Sequence, residues 1–350
     1  MTHAERPGAL PAEYERQLQE AHLRPLWLAS VSDVTRAEAG QPLRRARPHA
    51  WSWSTVRERL LKAGELVAVE QAERRVLVLV NPGHRTPDGV SADSSLFVGA
   101  QLVLPGEATS RHRHSAAATR FVVEGSSACT LVNGERLPME PGDLILTPPH
   151  HWHEHVNEGG EHAIWLDMLD VPLSSPLDAV YFEAGPRTPP AEQRPERAAW
   201  LAAGLLPYRS PRIAPQRYPM LRYRWSEVRK ALDAMASAAA HGEAVHLMYA
   251  NPETGASVLE PYNYSARLLR PGEEVAPPLT SASAVFHVVG GEGESQIGEH
   301  VFAWQQGDVI AAPSQLAVRH RNRSRTRSAY LLQVDNAPLQ SKLGWYREWP

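Results

Sequence analysis

The segment PGDLILTPP at 141–149 returns as QGDVIAAPS at 306–314, an offset of 165, and RFVVEG at 120–125 returns as FHVVGGEG at 286–293, an offset of 166. Two matches in the same order and in the same strand context mark an internal duplication of roughly 85 residues. The duplicated texture is one of short strands. VLVLV at 76–80 is followed by LFVGAQLVL, RFVVEG, ACTLVNG, LILTP and AIWLDML, punctuated by Pro105-Gly106, Asn133-Gly134 and Pro141-Gly142. Strands of this length and spacing close into sandwiches or barrels. The duplication therefore predicts an all-β-dominated chain with two such units.

Other segments fall around them. Pro11 to about Leu28 and Trp51–Ala63 read as helices, giving an N-terminal helical cap over 1–72, with a first β unit over 73–182. EAGPRTPPAEQRPER and PYRSPRIAPQRYP, within 183–219, form a proline-rich linker. With the helix expected at Trp225–Ala240 it makes a connecting region over 183–240. The second β unit then occupies 241–350, its strands resuming at Tyr262.

At 350 residues and 43% hydrophobic the chain can bury a full core. A net charge of -3 gives no basic surplus to hold a phosphate backbone, so a small ligand is expected rather than nucleic acid. Cys129 is the single cysteine, which excludes an internal disulfide and a cysteine-based zinc site. No apolar run suits a signal sequence or a membrane span, so a cytoplasmic protein without a membrane partner is expected.

The chemistry is carried by histidines. In HRHSAAATRF, His112 and His114 are two apart on a strand end, so both project from one face and can share an ion. HHWHEHVNEG, just beyond LILTPP, supplies His150, His151, His153 and His155 as candidates for a third ligand. Three neutral imidazoles suit iron, zinc, copper or nickel and leave positions open for water or substrate. The arrangement resembles the cupin fold, a double-stranded β-helix or jelly roll, whose pattern selects His153. His155, two residues on, faces the same cavity, either moving a proton or bonding a substrate oxygen, or supporting the ligands.

Longer segments make the resemblance more specific. LRPLW at 23–27, ERRVLVLVNPG at 73–83, GAQLVLPGE at 99–107, HRHSAAATRFVVEG at 112–125, TPPHHWHEHVNEG at 147–159, WLDMLDVPL at 165–173 and YANPETGASVLEP at 249–261 are similar to the gentisate and salicylate 1,2-dioxygenases. These are bicupins with two barrels that cleave aromatic rings. The resemblance implies Fe(II) on His112, His114 and His153, and an aromatic hydroxy acid and O2 as reactants. Both oxygen atoms would enter between the carboxyl-bearing and hydroxyl-bearing carbons.

It also implies Arg120 as the grip on the substrate carboxylate, Gln101 as a pocket amide, and Asp167 paired to an active-site His or Arg. Arg74 or Arg75 reaches the substrate, with Arg75 the favoured choice, and the assembly is a homotetramer. Ala116, Ala118-Thr119 and Phe97 depart from common family residues, leaving gentisate, salicylate and nitro- or chloro-salicylates as candidates. By the offsets above, His112, His114 and His153 correspond to Pro278, Thr280 and Val318, so the second barrel is expected to lack a metal. The competing readings are a metal-dependent hydrolase or isomerase, since zinc on three histidines also activates water, and a non-catalytic binder of aromatic acids.

Overall fold

Strands form wherever the sequence alternates or runs apolar between turn signals. In the first half they are β1 (His49–Trp51), β2 (Arg75–Val78), β3 (Phe97–Val103), β4 (His112–His114), β5 (Ala118–Glu124), β6 (Ala128–Val132), β7 (Glu135–Pro138), β8 (Leu144–Thr147), β9 (His153–Asn157), β10 (Ala163–Leu169) and β11 (Phe182–Ala184). In the second they are β12 (Arg222–Tyr223), β13 (Val245–Met248), β14 (Asn263–Leu269), β15 (Glu274–Val275), β16 (Leu279–Thr280), β17 (Ala284–Gly290), β18 (Glu292–Ile297), β19 (His300–Gln305), β20 (Val309–Ala312), β21 (Val318–Asn322), β22 (Ala329–Asp335) and β23 (Glu348–Trp349). The computed structural model describes residues 10–23, 45–72, 74–84, 91–185, 198–201, 203–208, 216–240 and 242–349. Most of the expected proline-rich linker and part of LRPLW lie outside them.

Two barrels result, as the duplication requires. The first sets the sheet β12-β8-β5-β10-β3-β2 against β11-β4-β9-β6-β7, and the second sets β1-β20-β17-β22-β14-β13 against β15-β21-β18-β19. Asn133 and Gly134 take φ of 47° and 84°, the mirror-image turn that matches the twist of a hairpin, and they join β6 to β7 with Val132 opposite Glu135. Strands resume at Val245, ahead of the expected Tyr262, because VHLM pairs with β14 at the sheet edge.

The leading segments are exchanged between the barrels. β1 precedes the first barrel yet pairs with β20 of the second, with Trp51 opposite Val309, while β12 precedes the second barrel and pairs with β8 of the first, with Tyr223 opposite Leu144. The helix Trp53–Leu66 follows β1, and the helix Trp225–Ala238 follows β12. Trp53 N donates to Asp308 Oδ1 and Trp225 N donates to Asp143 Oδ1, each at 2.8 Å. The two glycines of the G-D pairs explain the fit. Gly142 (φ +92°) and Gly307 (φ +95°) lie against Trp225 and Trp53, where a Cβ would fall 2.3 and 2.4 Å from the indole Cγ.

This register also exposes a longer repeat in the sequence. WSTVRERL at 53–60 returns as WSEVRKAL at 225–232, with Leu60 and Leu232 both fully buried. Trp53–Leu66 thus belongs to the compact unit formed by residues 46–350 rather than to a separate cap. One hydrophobic cluster runs from Phe121, Leu144 and Trp165 of the first barrel to Tyr264, Leu332 and Val334 of the second, and another, with Phe286, Ile297, Trp304 and Ile310, lies within the second barrel.

Candidate metal centre and active site

β4 and β9 run antiparallel with His112 opposite His153, and His114 lies on the same face two residues from His112. The ligand nitrogens of these three buried histidines lie within 4.8 Å of one another. Each ring donates Nδ1–H to a backbone carbonyl: His112 to Ser110 (2.8 Å), His114 to Ala116 (2.8 Å) and His153 to His151 (2.9 Å). A proton held at Nδ1 leaves the Nε2 lone pair for a ligand. His114 Nε2 and His153 Nε2 are buried without a hydrogen-bond partner. His112 Nε2 accepts from Arg74 Nη1 at 3.2 Å.

The electrostatics keep all three rings neutral. Burial, then the charge of Arg74, pushes His112 down to about 3, while burial, then Arg120, pushes His114 down to about 4 and His153 well below the ordinary range. Neutral, oriented imidazoles with inward lone pairs fit a metal that takes nitrogen ligands. Of the other histidines in the β9 region, His155 is fully buried beside the trio. Its Nδ1 meets Thr130 Oγ1 at 2.9 Å and its Nε2 has no partner.

The opposite sheet supplies charge. Arg120 on β5 faces Asp167 on β10, with Nε 3.3 Å from Oδ1, and the same guanidinium donates to Thr147 Oγ1. Trp165 Nε1 donates to Asp167 Oδ1 at 3.0 Å. Arg120 is 3% exposed, and burial pushes it down to about 10, which leaves it cationic at neutral pH. Its charge bears on His112, His114, His153 and His155 alike. Gln101 pairs in register with Trp165, and its buried Nε2 has no partner.

Arg75 falls elsewhere, and the favoured choice between the two arginines is corrected. In register β2 sets Val76 opposite Gln101 and Arg75 opposite Leu102, so Arg75 projects to the other face, where it pairs with Glu107. Arg74, one residue earlier, reaches His112 and stacks over Phe182, its Cζ 5.4 Å from the ring centroid. Phe182 itself stacks on His112 at 5.4 Å. The departures from family residues also separate. Ala118 shares the inward parity of Arg120, whereas Thr119 turns away and donates to Tyr264 OH of the second barrel at 3.0 Å.

Sequence reasoning passed over Thr130, Thr147, Trp165 and Phe182. The first three share the inward parity of strands already recognised, so alternation could have found them. Phe182 sits where the proline-rich stretch begins and carries no periodic signal.

Fold and site together define a metal-binding cupin, and residues 100–169 match the cupin domain family. The chain is 40% identical to a gentisate 1,2-dioxygenase from a Ralstonia species over 335 residues, covering 96% of this chain and 93% of that protein. It is 36% identical to a 5-aminosalicylate 1,2-dioxygenase from a Comamonas species, covering 95% and 88%. The crystal structure of a salicylate 1,2-dioxygenase from Pseudaminobacter salicylatoxidans superposes with a TM-score of 0.88 at 30% identity, covering 98% of this chain and 99% of that one. The chain belongs to the gentisate and salicylate 1,2-dioxygenase family and is a ring-cleaving dioxygenase. Among the described residues no helix is long and apolar enough to cross a membrane.

Proposed function

We propose that the first barrel holds Fe(II) on His112, His114 and His153 and opens gentisate or a substituted salicylate between its carboxyl-bearing and hydroxyl-bearing carbons. The observation that carries this reading is the placement of a buried, cationic Arg120 beside three neutral imidazoles whose Nε2 atoms converge. Iron bound there supplies a Lewis acid that gathers the hydroxy acid and O2 on one centre. Neutral ligands leave that centre its full double charge, which favours an anionic substrate.

The chain's own groups do the rest. Arg120, held by Asp167 and Thr147, offers remaining N–H donors to the substrate carboxylate, and a charge-assisted pair in a dry barrel fixes the ring's orientation. Arg74, steadied on Phe182, brings a second guanidinium to the ligand side. Gln101 Nε2 is a buried donor for a ring oxygen, and His155 Nε2, also buried without a partner, is placed to hold or pass a proton. A homotetramer in the cytoplasm is the assembly that accompanies this reading.

The test is oxygen uptake by protein loaded anaerobically with Fe(II), offered gentisate, salicylate and nitro-, chloro- and amino-salicylates. Stoichiometric O2 consumption with a new near-ultraviolet absorbance is expected for at least one. Tightly held zinc in protein purified without added metal, with no O2 consumed across the panel after iron loading, would overturn it.

A further inference from the structure

The second barrel has lost its metal ligands, and an apolar cluster that includes Phe286, Val288, Ile297, Trp304 and Ile310 packs within it, yet buried polar side chains persist beside that cluster. β14 turns Ser265 and Arg267 inward, β17 turns Phe286 and β22 turns Gln333, in the positions that Gly99, Gln101, Arg120 and Asp167 take in the first barrel. Arg267 is 5% exposed and, among the described residues, forms no ion pair. Glu273, the carboxylate whose charge reaches it, is itself paired to Arg270 at 2.8 Å. In the first barrel Arg120 is matched by Asp167; here the corresponding residue is the neutral Gln333. A buried guanidinium whose nearest carboxylate is already paired elsewhere is costly unless an anion completes it.

Gln333 Nε2 donates to Asp335 Oδ2 at 3.0 Å, which leaves its Oε1 as a buried acceptor, and the other neighbouring groups are wired toward donation. Arg267 Nη2 donates to His246 Nδ1 at 3.0 Å, so His246 carries its proton on Nε2 and donates to Ser265 Oγ at 2.8 Å. The Ser265 hydroxyl proton is thereby left to donate. His320 is fully buried, and its Nδ1 lies 2.7 Å from Ser295 Oγ, which accepts from Trp304 Nε1 at 2.8 Å. With Trp304 as its donor, the Ser295 hydroxyl is free to give its own proton to His320 Nδ1, and in that tautomer His320 presents Nε2–H, an atom buried without a partner. His320 packs its ring against Phe286, 4.5 Å between centroids, and Phe286 lies in register with Gln333 and Gln333 with Ser265, which sets His320 across the interior from the strand of Arg267. A guanidinium, an imidazole N–H and a hydroxyl thus face one interior.

We infer that the second barrel is a metal-independent binding site for a small organic carboxylate, gripped by Arg267 with His320 Nε2–H as the second donor. A planar guanidinium matches a carboxylate through two parallel hydrogen bonds, which selects this class over a spherical halide. The inference does not depend on what the first barrel turns over.

Benzoate, which lacks the ortho-hydroxyl of the proposed substrates, is the probe. Titrated calorimetrically into the full chain, it is expected to bind at two sites per chain in the unsubstituted protein and at one in Arg267→Gln, which installs the first barrel's own residue. His320→Phe should weaken the second event at least tenfold. Both variants are expected to keep ring-cleaving turnover at saturating substrate within twofold, and chloride at equal ionic strength should not compete. Unchanged benzoate stoichiometry and affinity in folded Arg267→Gln would overturn the assignment. Should both variants fail to fold, crystals of the unsubstituted protein soaked in 4-iodobenzoate decide it. Anomalous scattering beside Arg267 supports the site, and iodine confined to the first barrel refutes it. Loss of turnover on every ring substrate, with the Arg267-dependent event intact, would refute the dioxygenase substrate reading alone.

Discussion

The two barrels descend from one pattern but differ in how their interiors handle charge. The first places three imidazoles on β4 and β9 and answers its buried Arg120 with Asp167, a carboxylate that is itself held by Trp165. The second has Pro278, Thr280 and Val318 at the corresponding positions, retains a His bonded to a hydroxyl (His320 with Ser295, as His155 with Thr130), and among the described residues leaves Arg267 without an ion-paired carboxylate. Three substitutions thus remove a metal centre while the polar floor beneath it persists. What is lost is the ligand set, while Arg267 and His320 remain as buried polar side chains.

The largest contrast should follow from the ligands. His153→Ala is expected to lower turnover by on the order of 10⁴-fold, because a Lewis acid worth several kcal/mol is lost. His320→Ala in the equivalent barrel should change turnover by less than about twofold. Equal losses in steady-state O2 uptake would erase the distinction between the barrels. Next comes Arg120→Met, for which kcat/KM should fall about 10²–10³-fold as a buried charge-assisted contact disappears. The loss should be far greater for carboxylate-bearing substrates than for ring analogues lacking the carboxylate.

The exchanged helices offer a third comparison. Asp143→Asn leaves Arg222, which Asp143 bonds at 2.7 Å, without its buried partner. It should cost about 3–5 kcal/mol of unfolding free energy. Asp308→Asn disturbs the helix-end contact to Trp53 and should cost about 1 kcal/mol. Denaturant midpoints that reverse this order would show that Arg222 is not the source of the asymmetry.

The smallest effect concerns pH. Burial raises Asp170 to about 6, while its Oδ1 accepts from Ala117 N at 2.9 Å. The native state therefore binds an extra proton between the ordinary carboxylate range and pH 6, and this contribution to stability fades as pH rises through about 6. Asp170→Asn, which keeps the acceptor, should be more stable than the parent by about 1 kcal/mol at pH 8 and flatten the profile between pH 4 and 7. A melting-temperature difference that is constant across that range would contradict the assignment.

Much of this was readable beforehand, and the residues show why. Alternation fixes which side of a strand a residue takes once one member is known, so HRH and the strand of Arg120 could be placed, and the Asn133-Gly134 hairpin announced itself through backbone chemistry. Arg74 and Arg75 could not be separated, because parity at a strand's first residue depends on its partner; only the pairing of Val76 with Gln101 decides it. The exchange of leading segments was hidden for another reason. Its signal, WSTVRERL against WSEVRKAL, was present, but a repeat in sequence does not say which barrel a segment will join. That choice rests on Trp53 and Trp225 meeting the glycine of the other unit.

The exchange also bears on how the chain can be assembled and taken apart. Trp53 is 255 residues from Asp308, so the bond that seats the first leader cannot form until the far end of the second barrel has been made. Loop closure over that span is slow, and during synthesis β1 must wait unpaired, a strand edge open to the wrong partner. A cut between the halves would yield two fragments, each carrying the other's clasp and each with a bare edge. The exchanged pairings predict that the two barrels unfold together, so that the barrel without the metal ligands is needed by the one that has them.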